Sequence, residues 1–255
     1  MVCAVSHPEQ IGFFSAVVDA NKAFVEGASV LEIGSHDYDL NGGMRKVFAA
    51  AGRYVGVDLV AGPGVDIVGF GHELDHRDHS YDVAISGECF EHDPHWRETF
   101  SNMVRMTRPG GLVAFSCASR GRPEHWTMRT DKAVLPGTQA VGMDYYRNLD
   151  ESDFADWLPL ASMFTAYRFW YLPTNFDLYF AGVKSGDDAG RGRACLPDDA
   201  AVKRLRSLMP LRHKAVRVPL RVLSRIVPEP HYQNIVVPYW NTLLKLAPDQ
   251  QRQSV

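Results

Sequence analysis

Two carboxylates and one imidazole occur close together in the pattern Glu88-x-x-Glu91-His92. The apolar residues 81–86 come directly before them and predict a buried strand. Positions i, i+3 and i+4 share one face of a helical turn, so we predict that these three side chains converge on one point. Like charges gathered at a strand end are costly unless a positive group lies among them. The pattern therefore predicts a site for a divalent cation or a cationic ligand.

The ligand types narrow the choice of metal. Carboxylate oxygens and an imidazole nitrogen suit Mg, Mn or Fe better than a metal that prefers thiolates, and we expect Mg or Mn. A further ligand must come from elsewhere, and we predict His125, on the loop that leaves the neighbouring strand. Such a cation would activate an alcohol, which is a poor nucleophile at neutral pH. The predicted metal ligands are Glu88, Glu91, His92 and His125, of which the last three are also predicted to be catalytic.

A site without a metal is the open alternative. In that interpretation Glu88 contacts a cofactor and His92 acts alone as the general base. His125 is then a loop histidine that caps a local backbone group.

Alternating strands and helices must position these residues. The predicted strands cover residues 28–33, 54–59, 64–68, 81–86 and 112–117. The predicted helices cover residues 8–26, 44–51 and 96–107, and a helix stop with a turn is predicted at 108–111. This alternation predicts an α/β fold with a parallel, doubly wound sheet, whose carboxyl edge is the usual place for a ligand.

The pattern changes after residue 118. Residues 119–150 have little periodicity, and a stretch of that length in a compact domain predicts a substrate loop or lid. A helix is predicted at 151–160, followed by two aromatic-rich strands at 164–172 and 176–183 that pair as a hairpin. Residues 185–193 read as a linker. From about residue 197 the helical pattern is predicted to break at Pro210, Pro219 and Pro228.

The first two strands carry the signals for a cofactor. Residues 30–33 run into a tight turn at Gly34, where the absence of a side chain lets a ligand approach the backbone. Asp58 ends the second strand, and an acid at that position can accept both hydroxyls of a ribose. The G-x-G-x-x-G pattern of dinucleotide-binding dehydrogenases does not follow the first strand, which disfavours that class.

The chain resembles the class I S-adenosylmethionine-dependent methyltransferases. The resemblance rests on the order of Glu32, Gly34, Asp58, the strand at 81–86 and the turn at 108–111. The resemblance covers residues 28–118 and extends to about 184. It implies a Rossmann-like sheet of seven strands, mostly parallel with an antiparallel last strand. We expect a class I methyltransferase domain at 1–185, with its substrate insertion at 119–150, and a C-terminal extension at 186–255.

The resemblance also implies where S-adenosylmethionine binds. The loop from Gly34 would pass under its methionine part, Asp58 would hold its ribose, and the loop at Phe70 would lie beside its adenine. The full set of implied cofactor residues is Glu32, Gly34, Ser35, Asn41, Gly42, Asp58, Leu59, Phe70, Gly71, His72 and Ser86. Two features depart from the family pattern: the first loop lacks G-x-G-x-G, and Phe70 stands where many relatives carry an acid.

The acceptor is predicted by resemblance to metal-dependent relatives. The E-x-x-E-H pattern with a distant histidine resembles small-RNA 2′-O-methyltransferases and ubiquinone-biosynthesis O-methyltransferases. Residues 32–35, 41–42 and 121–125 resemble sugar O-methyltransferases of polysaccharide gene clusters, most narrowly those that methylate O1 of short mannosides. We therefore predict an O-methyltransferase for a sugar or oligosaccharide hydroxyl. The alternatives are a phenol or quinol O-methyltransferase and a non-catalytic, cofactor-binding partner protein.

Aromatic side chains are predicted to build the acceptor pocket or, alternatively, to fill the core. They are Trp126, Tyr145, Tyr146, Trp157, Trp170 and Tyr171.

Composition limits the partners. The 255 residues carry a net charge of −3, which argues against binding to nucleic acid. The four cysteines contain no C-x-x-C pair and there is no apolar leader, so we expect a cytoplasmic protein.

The C-terminal extension is basic, with no acid between Asp199 and Glu229. We expect a solvated helix packed on its own domain; contact with an anionic membrane surface is less favoured, and a homodimer interface is also compatible.

Overall fold

The computed structural model describes residues 7–38, 40–130, 137–187 and 192–246, and for 243–246 the backbone alone. Its strands are β1 Ser29–Ile33, β2 Arg53–Asp58, β3 Ile67–Val68, β4 Tyr81–Gly87, β5 Thr107–Ala118, β6 Phe164–Leu172 and β7 Asp177–Lys184. They form one sheet in the order β3-β2-β1-β4-β5-β7-β6. Strands β1 to β5 pair in parallel, and β7 is antiparallel to both β5 and β6. The predicted fold class, a Rossmann-like and mostly parallel seven-stranded sheet, is confirmed.

Helices surround the sheet. Those in the described residues are α1 Pro8–Ala20, α2 Lys22–Val25, α3 Gly43–Val47, α4 Trp96–Met106, α5 Gly137–Ala140, α6 Glu151–Ala155, α7 Leu160–Met163, α8 Asp199–Arg204, α9 Leu211–Ile226 and α10 Glu229–Leu246. Short 3-10 turns occur at Gly71–Glu73, Phe90–His92 and Leu205–Ser207. None of the helices in the described residues has the length and apolar character needed to cross a membrane.

Successive side chains point to opposite faces of a strand, and the central strands are covered by an apolar cluster on each face. Val83 and Ile85 of β4 pack into the apolar cluster that includes α1, whereas Ala84 packs into the cluster that includes α4. Both faces of β4 are covered, and the polar residues at 88–92 follow directly after the strand ends at Gly87. Residues 88–92 therefore lie at the carboxyl edge of the sheet, the usual place for a ligand.

Several predicted boundaries are wrong. The helix at 8–26 is interrupted at Asn21, whose side-chain amide donates to the Val17 carbonyl oxygen at 2.9 Å. The turn at 108–111 is instead an irregular part of β5, since Tyr81 pairs with Thr107 and the register shifts before the next pair. The helix at 151–160 is two shorter helices, α6 and α7.

The C-terminal extension also differs from its prediction. α9 continues through Pro219 rather than breaking there. Leu220 of α9 and Tyr232 and Val236 of α10 are buried against Phe176. The predicted linker falls partly on residues 188–191, outside the described residues, and the boundary at residue 185 stays a prediction.

Candidate functional site

A cleft, open at one side, lies at the carboxyl edge of the sheet. Its walls come from the ends of β1, β2 and β4, from the turn at 69–72 and from the segment after β5. The residues that line it are Ile33, Gly34, His36, Tyr38, Val57, Asp58, Leu59, Gly69, Phe70, Gly71, His72, Gly87, Glu88, Cys89, His92, Asp93, Trp126, Gly137, Thr138 and Met143. Apolar walls with a few polar groups are typical of a small-molecule site.

Backbone geometry shapes the floor of this cleft. Gly34 has φ +80°, and a Cβ added to it would lie 2.8 Å from the Cβ atom of Cys89. A side chain at this position would therefore be strained and would collide with Cys89, two residues after the end of β4. The glycine lets β1 turn sharply beneath the cleft.

Asp58, at the end of β2, is held by two backbone donors. Its Oδ2 atom accepts a hydrogen bond from the His36 N–H at 3.1 Å, and its Oδ1 atom accepts one from the Leu59 N–H at 2.7 Å. Burial raises the pKa of this carboxyl group, and the backbone donors oppose that effect. Each oxygen keeps a second lone pair that can accept a ligand hydroxyl.

The predicted cofactor residues divide into two groups. Those that line the cleft are Gly34, Asp58, Leu59, Phe70, Gly71 and His72. Those that do not are Glu32, Ser35, Asn41, Gly42 and Ser86. Phe70 belongs to the wall, with its ring 5.4 Å from that of His72.

The residues outside the cleft have their own partners. Tyr54 donates to the carboxyl group of Glu32 at 2.7 Å, and Ser86 donates to the Ile33 carbonyl oxygen at 3.0 Å. Gly42 and Ser35 line a separate recess, together with Glu32. Gly42 and Gly43 are therefore not among the residues that line the cleft.

Three of the four predicted metal ligands lie together. One potential ligand atom from each of Glu91, His92 and His125 lies within 4.8 Å of the other two. Neither carboxylate oxygen of Glu91 and neither ring nitrogen of His92 has a hydrogen-bond partner among the described residues, although both side chains are buried. Unsatisfied buried polar atoms are costly, so the group has the character of a binding site for a cation or a polar ligand.

His125 is oriented by its own loop. Its Nδ1 atom lies 3.0 Å from the carbonyl oxygen of Pro123. Because that oxygen can only accept, the contact assigns the proton to Nδ1 and leaves the lone pair on Nε2. A histidine fixed in this way by a backbone carbonyl is arranged as metal-ligating histidines are.

Burial controls the charges in this group. It raises the pKa of Glu91 well above its ordinary value, and the nearby Glu88 carboxylate adds to the rise. It lowers the pKa of His92 to about 4 and that of His125 well below its ordinary value. Both imidazoles are therefore neutral at pH 7, the form in which histidine binds a metal.

Glu88 lies apart from the other predicted ligands. Its backbone has φ +51°, and the 3-10 turn begins only at Phe90, so the predicted helical face does not include it. Its side chain groups instead with those of His7 and Asp177. The structure thus divides the E-x-x-E-H pattern between two clusters.

The second cluster is an ion network. His7 Nε2 lies 2.8 Å from Asp177 Oδ2 and 3.8 Å from Glu88 Oε2. Arg122 is 3.1 Å from Asp177 and 3.9 Å from Glu88. Burial alone would raise the pKa of Glu88, but His7 and Arg122 hold it at about 2. Burial and the Glu88 carboxylate raise the pKa of Asp177, against the effect of Arg122 and His7, so the two cations compensate this pair of acids in part.

Aromatic rings cover the Glu91–His92–His125 group. The ring of Trp126 is stacked on that of His92, with centroids 5.8 Å apart and planes at 19°. Tyr146 lies 5.4 Å from His92 and 5.1 Å from His125. The rings of the other predicted pocket aromatics do not contact His92 or His125 among the described residues. The indole of Trp170, for example, donates to Asp199 at 2.7 Å.

Sequence reasoning did not find His7, Arg122 or Asp177. They come from the start of α1, the segment after β5 and the start of β7. His7 had a local signal, since it precedes Pro8 and its Nδ1 atom caps α1 by accepting from the Gln10 N–H. No spacing rule joins the three positions.

Comparisons with known proteins give the following matches. The family model described as "Methyltransferase domain" matches residues 12–170. A relative from Mycobacterium marinum (strain ATCC BAA-535 / M), described as an uncharacterized methyltransferase, is 32% identical over 105 residues. That match covers 36% of this chain and 40% of the relative, so the chain spans less than half of the relative's length. A relative from Mycobacterium ulcerans (strain Agy99) matches to the same extent.

Two solved structures are also similar. One is the Burkholderia thailandensis 1,6-didemethyltoxoflavin-N1-methyltransferase with bound 1,6-didemethyltoxoflavin and S-adenosylhomocysteine, at 20% identity and a TM-score of 0.47, covering 69% of this chain and 80% of that one. The other is an S-adenosylmethionine-dependent methyltransferase from Mesorhizobium loti, at 17% identity and a TM-score of 0.43, covering 66% and 98%.

Proposed function

The chain belongs to the family of methyltransferase domains, and on that premise we propose that it transfers the methyl group of S-adenosylmethionine to a hydroxyl oxygen of a sugar or oligosaccharide. A divalent cation held by Glu91, His92 and His125 assists the transfer. Glu88, which belongs to the ion network, is not needed as a ligand in this proposal.

One observation carries the proposal. His92 belongs both to the wall of the cleft and to the group that it forms with Glu91 and His125. An acceptor held by that group would therefore lie beside a methyl donor in the cleft. Methyl transfer from a sulfonium is an in-line displacement, for which holding the two reactants in contact is the main requirement.

The chain's own residues have separate tasks. Asp58 accepts the ribose hydroxyls, and Gly34 allows the donor to lie against the backbone. Glu91, ionised when the cation binds, would supply one negative charge, and the two neutral histidines would supply lone pairs, a donor set that suits Mg²⁺ or Mn²⁺. When bound, S-adenosylmethionine supplies the activated methyl group and the cation lowers the pKa of the acceptor hydroxyl.

Two acceptor classes fit this arrangement. A vicinal diol of a sugar offers two adjacent oxygens for a cation and a polar edge for the buried carboxylate. The parallel rings of Trp126 and His92 are the specific feature that favours the second candidate, a flat phenol or quinol. Both candidates need S-adenosylmethionine as the methyl donor and the Glu91–His92–His125 group as the acceptor site.

Calorimetry with S-adenosylhomocysteine is the first test, and the absence of binding would remove the whole proposal. Methyl transfer is then measured on a panel of mono- and disaccharides and catechols, with and without EDTA. Transfer to saccharides that stops in EDTA and returns with Mn²⁺ supports the proposal; transfer to catechols alone favours the second candidate. Turnover that survives both EDTA and Glu91→Gln would leave His92 as a simple base. Binding without turnover on any acceptor would leave a non-catalytic partner protein.

A further inference from the structure

Helix α9, Leu211–Ile226, has two apolar faces. The inner face carries Leu220, which is buried with Tyr232 and Val236 of α10. Arg221 also fixes this side, since its Nε atom donates to the Pro173 carbonyl oxygen at 2.6 Å. The helix is therefore anchored to the body of the protein on one side, as a helix packed on its own domain should be.

The outer face is apolar as well, and solvent reaches it. Leu211, Val218, Val222 and Ile226 are 80%, 50%, 57% and 72% exposed. Their spacings of seven, four and four residues place them on one face of a helix, along about 22 Å of its axis. Ala215 and Pro219 of the same face are exposed too. An apolar stripe of this length on a solvated helix marks an interaction surface.

Positive charge borders the stripe. The helix carries Arg212, Lys214, Arg217, Arg221 and Arg225 and no acid. Arg212, Lys214 and Arg225 make no ion pair with any residue in the described part of the chain. The stretch from residue 200 to residue 228 also contains no Asp or Glu, so nothing nearby in the sequence neutralises this side of the helix.

From these observations we propose that the outer face of α9 binds the surface of an anionic lipid bilayer. Leu211, Val218, Val222 and Ile226 enter the region between the headgroups and the acyl chains, and the flanking Arg212 and Arg225 contact the lipid phosphates. The helix lies in the plane of the membrane surface, which is how amphipathic helices with basic borders bind.

Charge favours a membrane over a second copy of the chain. A symmetric contact between two α9 helices would place a helix with five cations and no anion against an identical one. Such like charges repel, whereas anionic headgroups neutralise them. The observed inner packing leaves the stripe outward, so the protein need not unfold any part of its C-terminal extension to present it.

Vesicle flotation with the full chain tests this proposal. Vesicles of phosphatidylcholine with about 30 mol% phosphatidylglycerol should carry the protein upward, whereas pure phosphatidylcholine vesicles should not. Raising the salt to about 0.5 M should weaken the binding, because it screens the contacts with phosphate. Equal binding to both kinds of vesicle, or to neither, would overturn the proposal.

Double variants distinguish binding through this surface from nonspecific binding to vesicles. Val218→Ser combined with Val222→Ser should lower the vesicle partition coefficient about tenfold or more, and Arg212→Gln combined with Arg225→Gln should do the same. The matched control is Val68→Ser on β3, since Val68 is 58% exposed and Val222 is 57% exposed. This control should bind as the wild type does.

Two further results would count against a membrane surface. Wild-type binding by the Val218→Ser/Val222→Ser variant, with an unchanged thermal midpoint, would show that the stripe is not used. A dimer in analytical ultracentrifugation that the same variant converts to a monomer, without vesicle binding by the wild type, would assign the face to a second copy instead.

Discussion

Glu88 and Glu91 stand three residues apart and belong to different clusters. Glu88 lies with His7 and Asp177, and Glu91 lies with His92 and His125. The positive φ of Glu88 causes this division, because it turns the backbone before the 3-10 turn begins. The two carboxylates should therefore respond differently to substitution.

The first prediction compares the two glutamates in metal binding. Glu91→Gln removes the negative ligand and should weaken Mn²⁺ binding by a factor of about ten or more, as measured by calorimetry. Glu88→Gln leaves the Glu91 group intact and should change the Mn²⁺ affinity much less. Glu98→Gln, at an exposed position on α4, is the control. A larger loss for Glu88→Gln than for Glu91→Gln would mean that the ion network is the cation site.

The second prediction concerns stability and pH. Burial raises the pKa of Glu32 to about 8, from about 4.5 in the unfolded chain. Between these two pH values the folded protein keeps the proton on Glu32 and the unfolded chain loses it. The free energy of unfolding therefore falls as the pH rises from 4.5 to 8. Glu32→Gln cannot lose a proton, so relative to the wild type it should become more stable over that range.

The free energy of unfolding of both proteins, without cofactor, measures this difference. One pKa unit corresponds to about 1.4 kcal/mol, so the gap between the two proteins should grow by more than about 1 kcal/mol from pH 5 to pH 8. Below pH 4.5 the gap should be constant, which is the internal control. A gap that does not change with pH would mean that Glu32 is ionised in the folded protein.

The fold was predictable because its signals are local. Apolar runs ending at Ile33, Asp58 and Ser86 indicate strands without reference to distant parts of the chain, and the hairpin of β6 and β7 follows from the break at residues 173–175. The boundaries at 108–111 and at Pro219 were not predictable in this way. There, pairing with β4 and packing of α9 against α10 outweigh the usual effect of proline and glycine.

The site was predictable in part, for a related reason. His92 and His125 follow neighbouring strands, and the sheet brings such ends together. The position of Glu88 depends on one backbone angle, which residue type does not determine. His7 and Asp177 are 170 residues apart in the sequence and meet only because α1 begins beside the start of β7.

The third prediction tests how α10 holds the segment after β5. The hydroxyl of Tyr232 is buried and donates to the Gly121 carbonyl oxygen at 2.8 Å. Tyr232→Phe leaves that carbonyl without its donor and should lower the free energy of unfolding by about 1–2 kcal/mol. Tyr239→Phe removes a longer bond to the Val216 carbonyl oxygen, 3.2 Å, and should have a smaller effect. Equal decreases in the free energy of unfolding of the two variants, measured by urea denaturation, would show that the hydrogen bond to Gly121 stabilises the protein no more than the bond to Val216.

The fourth prediction concerns the cofactor cleft. In the wild type, the N–H groups of His36 and Leu59 donate to the carboxyl oxygens of Asp58. Asp58→Asn keeps the shape of the side chain but places an NH₂ group against one of these two donors. It also replaces an acceptor for the ribose hydroxyls, so the affinity for S-adenosylhomocysteine should fall about tenfold or more. Calorimetry measures this loss, and Asp19→Asn, on the exposed side of α1, should bind as the wild type does. If Asp58→Asn binds S-adenosylhomocysteine normally while retaining the wild-type thermal midpoint, the ribose lies elsewhere in the cleft.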